Sequence, residues 1–184
     1  MRLALAIAAL ACSLPAAALD ATTLFRTLAA RKPVKAEFTE KKYLSLLSRP
    51  VESRGELTFT PPDRMEKRTL APKPERVVVD RDRITLERGG KSYAMGLRDN
   101  PGVAVLVESI RATLAGDLAA LTRTYSVALD GDESRWRLVL RPLDPAVSTL
   151  VERIEIGGAE ARVASVEIFQ ADGDRSLMAI APAK

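Results

Sequence analysis

The chain has 184 residues, with 28 basic and 24 acidic side chains, one cysteine and no histidine. This length suits one domain with a hydrophobic core, and the net charge of +4 is spread along the chain. Because the one cysteine is Cys12, near the amino terminus, the rest of the chain has no disulfide, cysteine nucleophile, histidine base or usual zinc ligand set. We therefore expect no cofactor and no metal.

The amino terminus has the features of a secretory signal peptide. Arg2 precedes a short apolar run, and residues 16–18 are the small residues of a cleavage site. The run is shorter than the about 20 apolar residues that a transmembrane helix needs. We predict a signal peptide over residues 1–18 and one mature, exported domain over residues 19–184. Export argues against a nucleic-acid partner. The mild positive charge suits an acidic partner surface, anionic lipid headgroups or simple solubility.

Cys12 leaves a second interpretation of the amino terminus open. The run Ala9-Leu10-Ala11-Cys12 is similar to a lipoprotein processing box, in which the cysteine becomes the lipid-bearing first residue. Such boxes prefer leucine three residues before the cysteine, where this chain has Ala9. Cleavage near Ala18 is the favoured prediction, and a membrane-anchored receptor or sensor lipidated at Cys12 is the alternative.

Alternating apolar and polar side chains predict strands along most of the chain. Asp20 first caps a short helix that runs to Arg31. In the segment Gly55–Pro62, Leu57 and Phe59 point to one face while the residues between them point to the other, and two prolines end the strand. The other predicted strands are 36–47, 64–70, 75–80, 83–88, 91–97, 125–129, 135–141, 150–156, 161–170 and 175–180.

One segment in the middle of the chain has helical spacing instead. Asn100-Pro101 is a cap followed by proline in the first turn, and Gly116 is a typical helix end. Asp117 can cap a shorter helix that runs to Arg123. The apolar stripe of the longer helix consists of Val103, Leu106, Val107, Ile110 and Leu114.

About eleven strands in hairpin succession predict a mainly β protein, an antiparallel meander curled into a barrel or half-barrel. The central helix then either fills the core or covers a cavity on the concave face, and the pattern alone favours core packing. The few aromatic candidates for the inner face are Phe38, Phe59, Tyr93 and Trp136. A lone tryptophan such as Trp136 is predicted to be a core anchor with its N–H bonded, not a ligand contact.

Three segments of the sequence resemble a known family. They are Val34-Lys35-Ala36-Glu37-Phe38-Thr39-Glu40-Lys41, the strand Gly55–Pro62, and Pro72 followed by Val77-Val78-Val79-Asp80. In this order they resemble the start of the LolA-type periplasmic lipoprotein carriers, and the order of elements is similar over nearly the whole mature chain. Residues 111–117 and 171–176 are similar to a divergent branch of that family.

The resemblance implies an unclosed antiparallel β-barrel with a helical lid over a hydrophobic cavity. It implies a soluble, monomeric periplasmic carrier of acylated lipoproteins or a related lipid. Such a carrier takes cargo from an inner-membrane transporter and passes it to an outer-membrane receptor. The residues expected to bind acyl chains, from the inner strand faces and the lid stripe, are Phe38, Leu57, Phe59, Met65, Tyr93, Met95, Val103, Val107 and Ile110.

The chain departs from the family pattern at two positions. The family usually has an arginine just before the proline that matches Pro62, where it bonds the lid closed, and this chain has Pro61 there. Arg64 and Arg68 are the nearby arginines that could replace it. The family also favours an aromatic residue at the position of Lys67.

An enzyme is the third class of function that we considered. Without histidine, and with no cysteine in the mature chain, acid–base chemistry would need two carboxylates with separated pKa values. The available carboxylates include Asp80, Asp82, Asp130 and Asp132, and two of these lie in predicted turns, where aspartate is common for backbone reasons. We therefore predict a binding protein, not an enzyme.

Overall fold

The structure is a computed structural model that describes residues 19–30 and 33–183. The predicted signal peptide and Cys12 lie outside these residues. The described strands are β1 (Val34–Tyr43), β2 (Val51–Thr60), β3 (Arg64–Ala71), β4 (Glu75–Asp80), β5 (Arg83–Arg88), β6 (Lys91–Gly96), β7 (Tyr125–Asp132), β8 (Arg135–Pro142), β9 (Val151–Ala159), β10 (Arg162–Gln170) and β11 (Arg175–Pro182). The described helices are α1 (Ala21–Ala29), α2 (Pro101–Ala115), α3 (Leu118–Thr124) and α4 (Pro145–Ser148). Within this part of the chain, no helix is both long and apolar enough to cross a membrane.

All eleven strands belong to one antiparallel sheet in the order β6-β5-β4-β3-β2-β1-β11-β10-β9-β8-β7. Consecutive strands pair from β1 to β6 and from β7 to β11. The pairing of β1 with β11 joins these two halves of the chain. Strands β6 and β7 form the two edges and do not pair with each other, so the barrel is unclosed, as predicted. The predicted hairpin between β5 and β6 is confirmed, since Gly89 and Gly90 have positive φ angles of 58° and 75°.

The first strand begins and ends earlier than predicted. Strand β1 ends at Tyr43, and residues 44–47 form a turn in which Ser45 N–H donates to an Asp174 carboxylate oxygen at 2.8 Å. Leu46 and Leu47 supplied the apolar signal that extended the predicted strand, and both are exposed. The connection between β8 and β9 contains the single helical turn α4.

The main core fills the β7–β10 half of the sheet. Helix α1 contributes Leu24, Phe25 and Leu28, which pack with buried residues of β8 and β9 such as Leu138. Trp136 is 1% exposed, and its Nε1–H donates to the carbonyl of Glu160 at 2.9 Å. The prediction of a core anchor at Trp136 is therefore confirmed.

Helix α2 follows the sheet's first six strands and has the predicted caps. The Asn100 side chain accepts a hydrogen bond from Val103 N–H at 3.2 Å, and Pro101 occupies the first turn. Gly116 ends the helix in the left-handed conformation, with φ of 70°. A Cβ there would lie 2.4 Å from the carbonyl oxygen of Phe25, so glycine lets α1 approach the end of α2 closely. This contact fixes the carboxyl end of α2 against α1.

Candidate functional site

A cavity of about 480 Å³ lies between α2 and the inner face of the sheet. Its volume falls within the range of about 300–1,000 Å³ that is usual for small-molecule sites. Strands β1–β4 form one wall and β9–β11 the other, while α2 forms the cover. Most of the lining side chains are aliphatic, and those not predicted as binding residues include Val77, Val79, Leu106, Leu114, Val163, Val166, Met178 and Ile180. The helix therefore covers a space that its own side chains do not fill.

Six of the nine predicted lipid-binding residues line this cavity. Leu57, Phe59 and Met65 come from β2 and β3, and Val103, Val107 and Ile110 come from α2. The strand residues are brought together by cross-strand pairing, since Phe59 stands directly opposite Met65 and shares its face. Residues that were predicted separately from strand alternation and helical spacing thus meet in one site.

The other three predicted residues lie outside the cavity lining. Phe38 is 2% exposed, and the Lys67 ammonium lies 4.9 Å from its ring centroid, so Lys67 and not Phe38 borders the cavity. Tyr93 and Met95 are on the edge strand β6, where they are 50% and 38% exposed. Pairing of Ile84 with both Val79 and Met95 places Met95 on the inner face. The predicted face is therefore correct, but these two side chains are not enclosed.

A cluster of polar side chains interrupts the aliphatic wall. The Glu40 carboxylate is 5% exposed and accepts hydrogen bonds from Lys67 Nζ at 2.5 Å, Ser176 Oγ at 2.8 Å and Ser53 Oγ at 3.2 Å. Lys42 Nζ lies 3.9 Å from Glu40 Oε1, the oxygen that accepts from Ser176. Burial acts to raise the pKa of Glu40, but the charge of Lys67 and these hydrogen bonds outweigh burial and hold the pKa below its ordinary value.

Two hydrogen bonds tie α2 to the sheet. Tyr125 Oη on β7 donates to the carbonyl of Val105 at 2.7 Å, and Arg111 Nη1 donates to the carbonyl of Arg81, in the turn between β4 and β5, at 3.1 Å. Burial raises the pKa of Tyr125 to about 12, which keeps its hydroxyl a donor. Arg111 also pairs with Glu108 on its own helix.

Arg64 and Arg68 do not replace the family arginine in holding α2. Arg64 pairs with Asp80 at 2.8 Å, and Arg68 lies 3.8 Å from Glu56, both pairs being on the solvent side of the sheet. The arginine that bonds the helix to the sheet is Arg111, which donates from the helix to a strand turn. Arg111 lies beside the apolar stripe, four residues after Val107, and its spacing gave no signal for this contact.

The carboxylates considered for catalysis do not gather at the cavity. Asp82 lies 3.7 Å from Arg98 and Asp130 lies 3.4 Å from Arg137, both in exposed ion pairs. Asp132 accepts hydrogen bonds from Ser134 and Arg135 in its turn, as expected for a turn aspartate. In the described part of the chain, no three acidic, histidine or cysteine side chains group as a metal site.

The family model described as "Outer membrane lipoprotein carrier protein LolA-like" matches residues 13–184. No curated protein matches the chain significantly.

Several solved structures are similar to this chain at low identity. A LolA superfamily protein from Nitrosomonas europaea is 8% identical, with a TM-score of 0.48, 90% of this chain and 94% of that chain covered. A DUF1329 family protein from Desulfovibrio piger is 8% identical, with a TM-score of 0.46 and 88% of each chain covered. LprF from Mycobacterium bovis is 12% identical, with a TM-score of 0.38, 89% of this chain and 94% of that chain covered. The family match, which spans nearly the whole sequence, shows that the chain belongs to the LolA-like family of outer membrane lipoprotein carrier proteins.

Proposed function

We propose that this protein is a periplasmic carrier that binds the acyl chains of lipoproteins, or of a related lipid, in the cavity under α2 and carries them toward the outer membrane. The observation that carries this proposal is the aliphatic cavity of about 480 Å³ between α2 and the sheet. Family membership and the predicted signal peptide support the periplasmic role. An inner-membrane donor and an outer-membrane acceptor are the partners that such a role requires.

The binding mechanism is partition of hydrocarbon from water into the cavity. Each buried methylene contributes about 0.8 kcal/mol, and this gain is offset by the cost of moving α2 to admit the chain. A carrier must also release its cargo, so the net affinity is moderate. The mechanism requires no chemical step, and the wall offers the aliphatic side chains of Leu57, Val107 and Ile110 as direct contacts.

Lipid extraction of the purified protein, followed by mass spectrometry, tests the proposal directly. We expect acyl lipids to co-purify and to displace a fluorescent acyl probe in a saturable way. Trp136 is not a suitable reporter, because it is buried in the main core and does not line the cavity. A protein that carries no lipid and does not bind the probe would rule the proposal out.

A further inference from the structure

A charged side chain lies in the apolar wall of the cavity. Lys67 on β3 stands opposite Leu57 on β2 and Val77 on β4, and directly paired residues share one face of a sheet. Burying charge is unfavourable unless the charge is paired and hydrogen-bonded. An alkyl side chain at this position would continue the wall, whereas the ammonium pairs with Glu40 and places a charged donor in the wall.

The charges around Glu40 do not cancel. Glu40 contributes one negative charge, while Lys67 and Lys42 lie 2.5 Å and 3.9 Å from its oxygens, which leaves a local excess of one positive charge. Both Glu40 oxygens already accept hydrogen bonds, one from Ser176 and the other from Lys67 and Ser53. Both oxygens of the carboxylate are therefore already engaged, and the excess positive charge is available to a ligand.

Lys67 is the cation of this cluster that faces the cavity, because Lys42, although 50% exposed, does not line it. The Lys67 side chain is 27% exposed, whereas that of Glu40 is 6% exposed. An ammonium has three N–H donors, and among the described residues Glu40 is the one acceptor that Lys67 Nζ reaches. Lys67 also lines the cavity, so its remaining donors can meet an oxygen of a bound molecule there.

We propose that the bound lipid has an anionic headgroup, a carboxylate or a phosphate, that binds Lys67 Nζ while its acyl chain lies along Leu57, Phe59 and Met65 beneath α2. This inference rests on the proposed function, because it identifies the chemical class of the lipid in the same cavity. Lys67 is the binding residue, and Glu40 is a positioning residue that holds the ammonium at the wall. Hydrogen bonds between a charged donor and a charged acceptor are the strong class that gives such selectivity.

Competition against a neutral fluorescent acyl probe tests the headgroup. The competitors are hexadecanoate, hexadecyl phosphate and hexadecanol, which share a chain and differ in the head. We expect the wild-type protein to bind at least one of the two anionic lipids about tenfold more tightly than hexadecanol, and the tighter of the two identifies the anion. Equal affinity for all three would overturn the inference while leaving the proposed carrier function intact.

Variants of the cluster separate a ligand contact from a structural role. Lys67→Met alone would leave Glu40 buried without its partner, so the informative variant is the double change Glu40→Gln and Lys67→Met, which removes both charges. It should lose the preference for the anionic lipids over hexadecanol, whereas Lys67→Arg should keep that preference. A double variant that retains the preference overturns the inference. Failure of every competitor to bind the wild type overturns the proposed function, and this inference with it.

Discussion

At the scale of single residues, Glu40 shows how a carboxylate is tolerated in a hydrophobic wall. Strand β1 contains several charged residues. Its register with β11 and β2 places Glu40 on the inner face of the sheet, opposite Met178 and Ser53. The two serines and Lys67 satisfy its oxygens, and their hydrogen bonds explain the lowered pKa despite burial. The cost of desolvation is thus offset by one ion pair and two hydroxyl donors.

The lowered pKa of Glu40 predicts how stability depends on pH. The folded state holds the pKa below the ordinary value of 4.5, so the folded protein binds this proton less readily than the unfolded chain. The resulting stabilisation is present in full above pH 4.5 and is lost as the pH falls through the lower, folded value. We expect Glu40→Gln to lower the free energy of unfolding by about 1–3 kcal/mol at pH 7, since Lys67 loses its counter-ion.

Urea unfolding of the wild type and of Glu40→Gln at pH 7 and at pH 3 measures this effect. The difference between the two proteins should shrink at the lower pH, because below pH 4.5 the unfolded wild-type chain binds the Glu40 proton more readily than the folded protein does. A difference that stays constant across this range would show that Glu40 does not contribute through its charge.

Gly55 is a second residue on which the wall depends. It faces inward opposite Phe38, at an irregularity in the β2–β3 register, and a Cβ there would lie 1.9 Å from the carbonyl oxygen of Arg68. We expect Gly55→Ala to destabilise the protein by about 2 kcal/mol or more, because a backbone atom must move. Gly89→Ala is the control: its Cβ meets nothing within 4 Å, so only the left-handed conformation costs about 1 kcal/mol. Equal melting temperatures for the two variants would contradict the expectation.

At the scale of elements, α2 was predicted well because local signals set its ends. Asn100 caps the helix through its side chain, and Pro101 and Gly116 act through their backbone geometry, so all three effects can be predicted from adjacent residues. The face on which each strand residue lies was predicted equally well, because successive side chains along a strand point to opposite faces. The sequence did not predict where the cavity ends along the sheet. Tyr93 and Met95 are on the correct face, but they lie on an edge strand that no described helix covers. The pairing of Lys67 with Glu40 depends on three-dimensional register and has no local signal.

The contacts of α2 predict how fast the cavity exchanges its ligand. Arg111 donates to the Arg81 carbonyl, and hydrogen bonds from charged groups contribute about 1.5–3 kcal/mol. Loss of that bond in Arg111→Met should speed release of an acyl probe by about tenfold, since each 1.4 kcal/mol changes a rate or equilibrium tenfold. Stopped-flow fluorescence measures the release rate.

The matched control for this variant is Arg64→Met. Arg64 is an arginine in an exposed pair with Asp80 at 2.8 Å, and no hydrogen bond or ion pair joins it to α2 among the described residues. Its replacement should leave probe release unchanged and alter stability by less than about 1 kcal/mol. Similar release rates in the wild type and in Arg111→Met would show that this hydrogen bond does not restrain the helix.

At the scale of the whole molecule, the space on the inner face of the single sheet divides into a filled region and a hollow region. In the β7–β10 half, α1 and α3 insert large side chains such as Phe25 and Leu121 against Trp136, and these are buried completely. Between β1–β4 on one side and β9–β11 on the other, α2 offers short branched side chains such as Val103 and Val107, and a cavity remains. The pattern of the sequence left core packing and a cavity as alternatives, and the structure contains both, in different regions of the same sheet.

This division predicts different effects for the same substitution in the two regions. Leu57 is half-buried in the cavity wall, whereas Leu138 is fully buried in the main core. Leu57→Asn should cost about 1 kcal/mol of stability but weaken binding of an acyl probe about tenfold or more, because the amide loses water when the chain binds. Leu138→Asn should lower the free energy of unfolding by about 3–5 kcal/mol. Thermal unfolding and probe titration of both variants make the comparison. If Leu57→Asn unfolds the protein as severely as Leu138→Asn, or leaves probe affinity unchanged, Leu57 is not part of a ligand-binding wall.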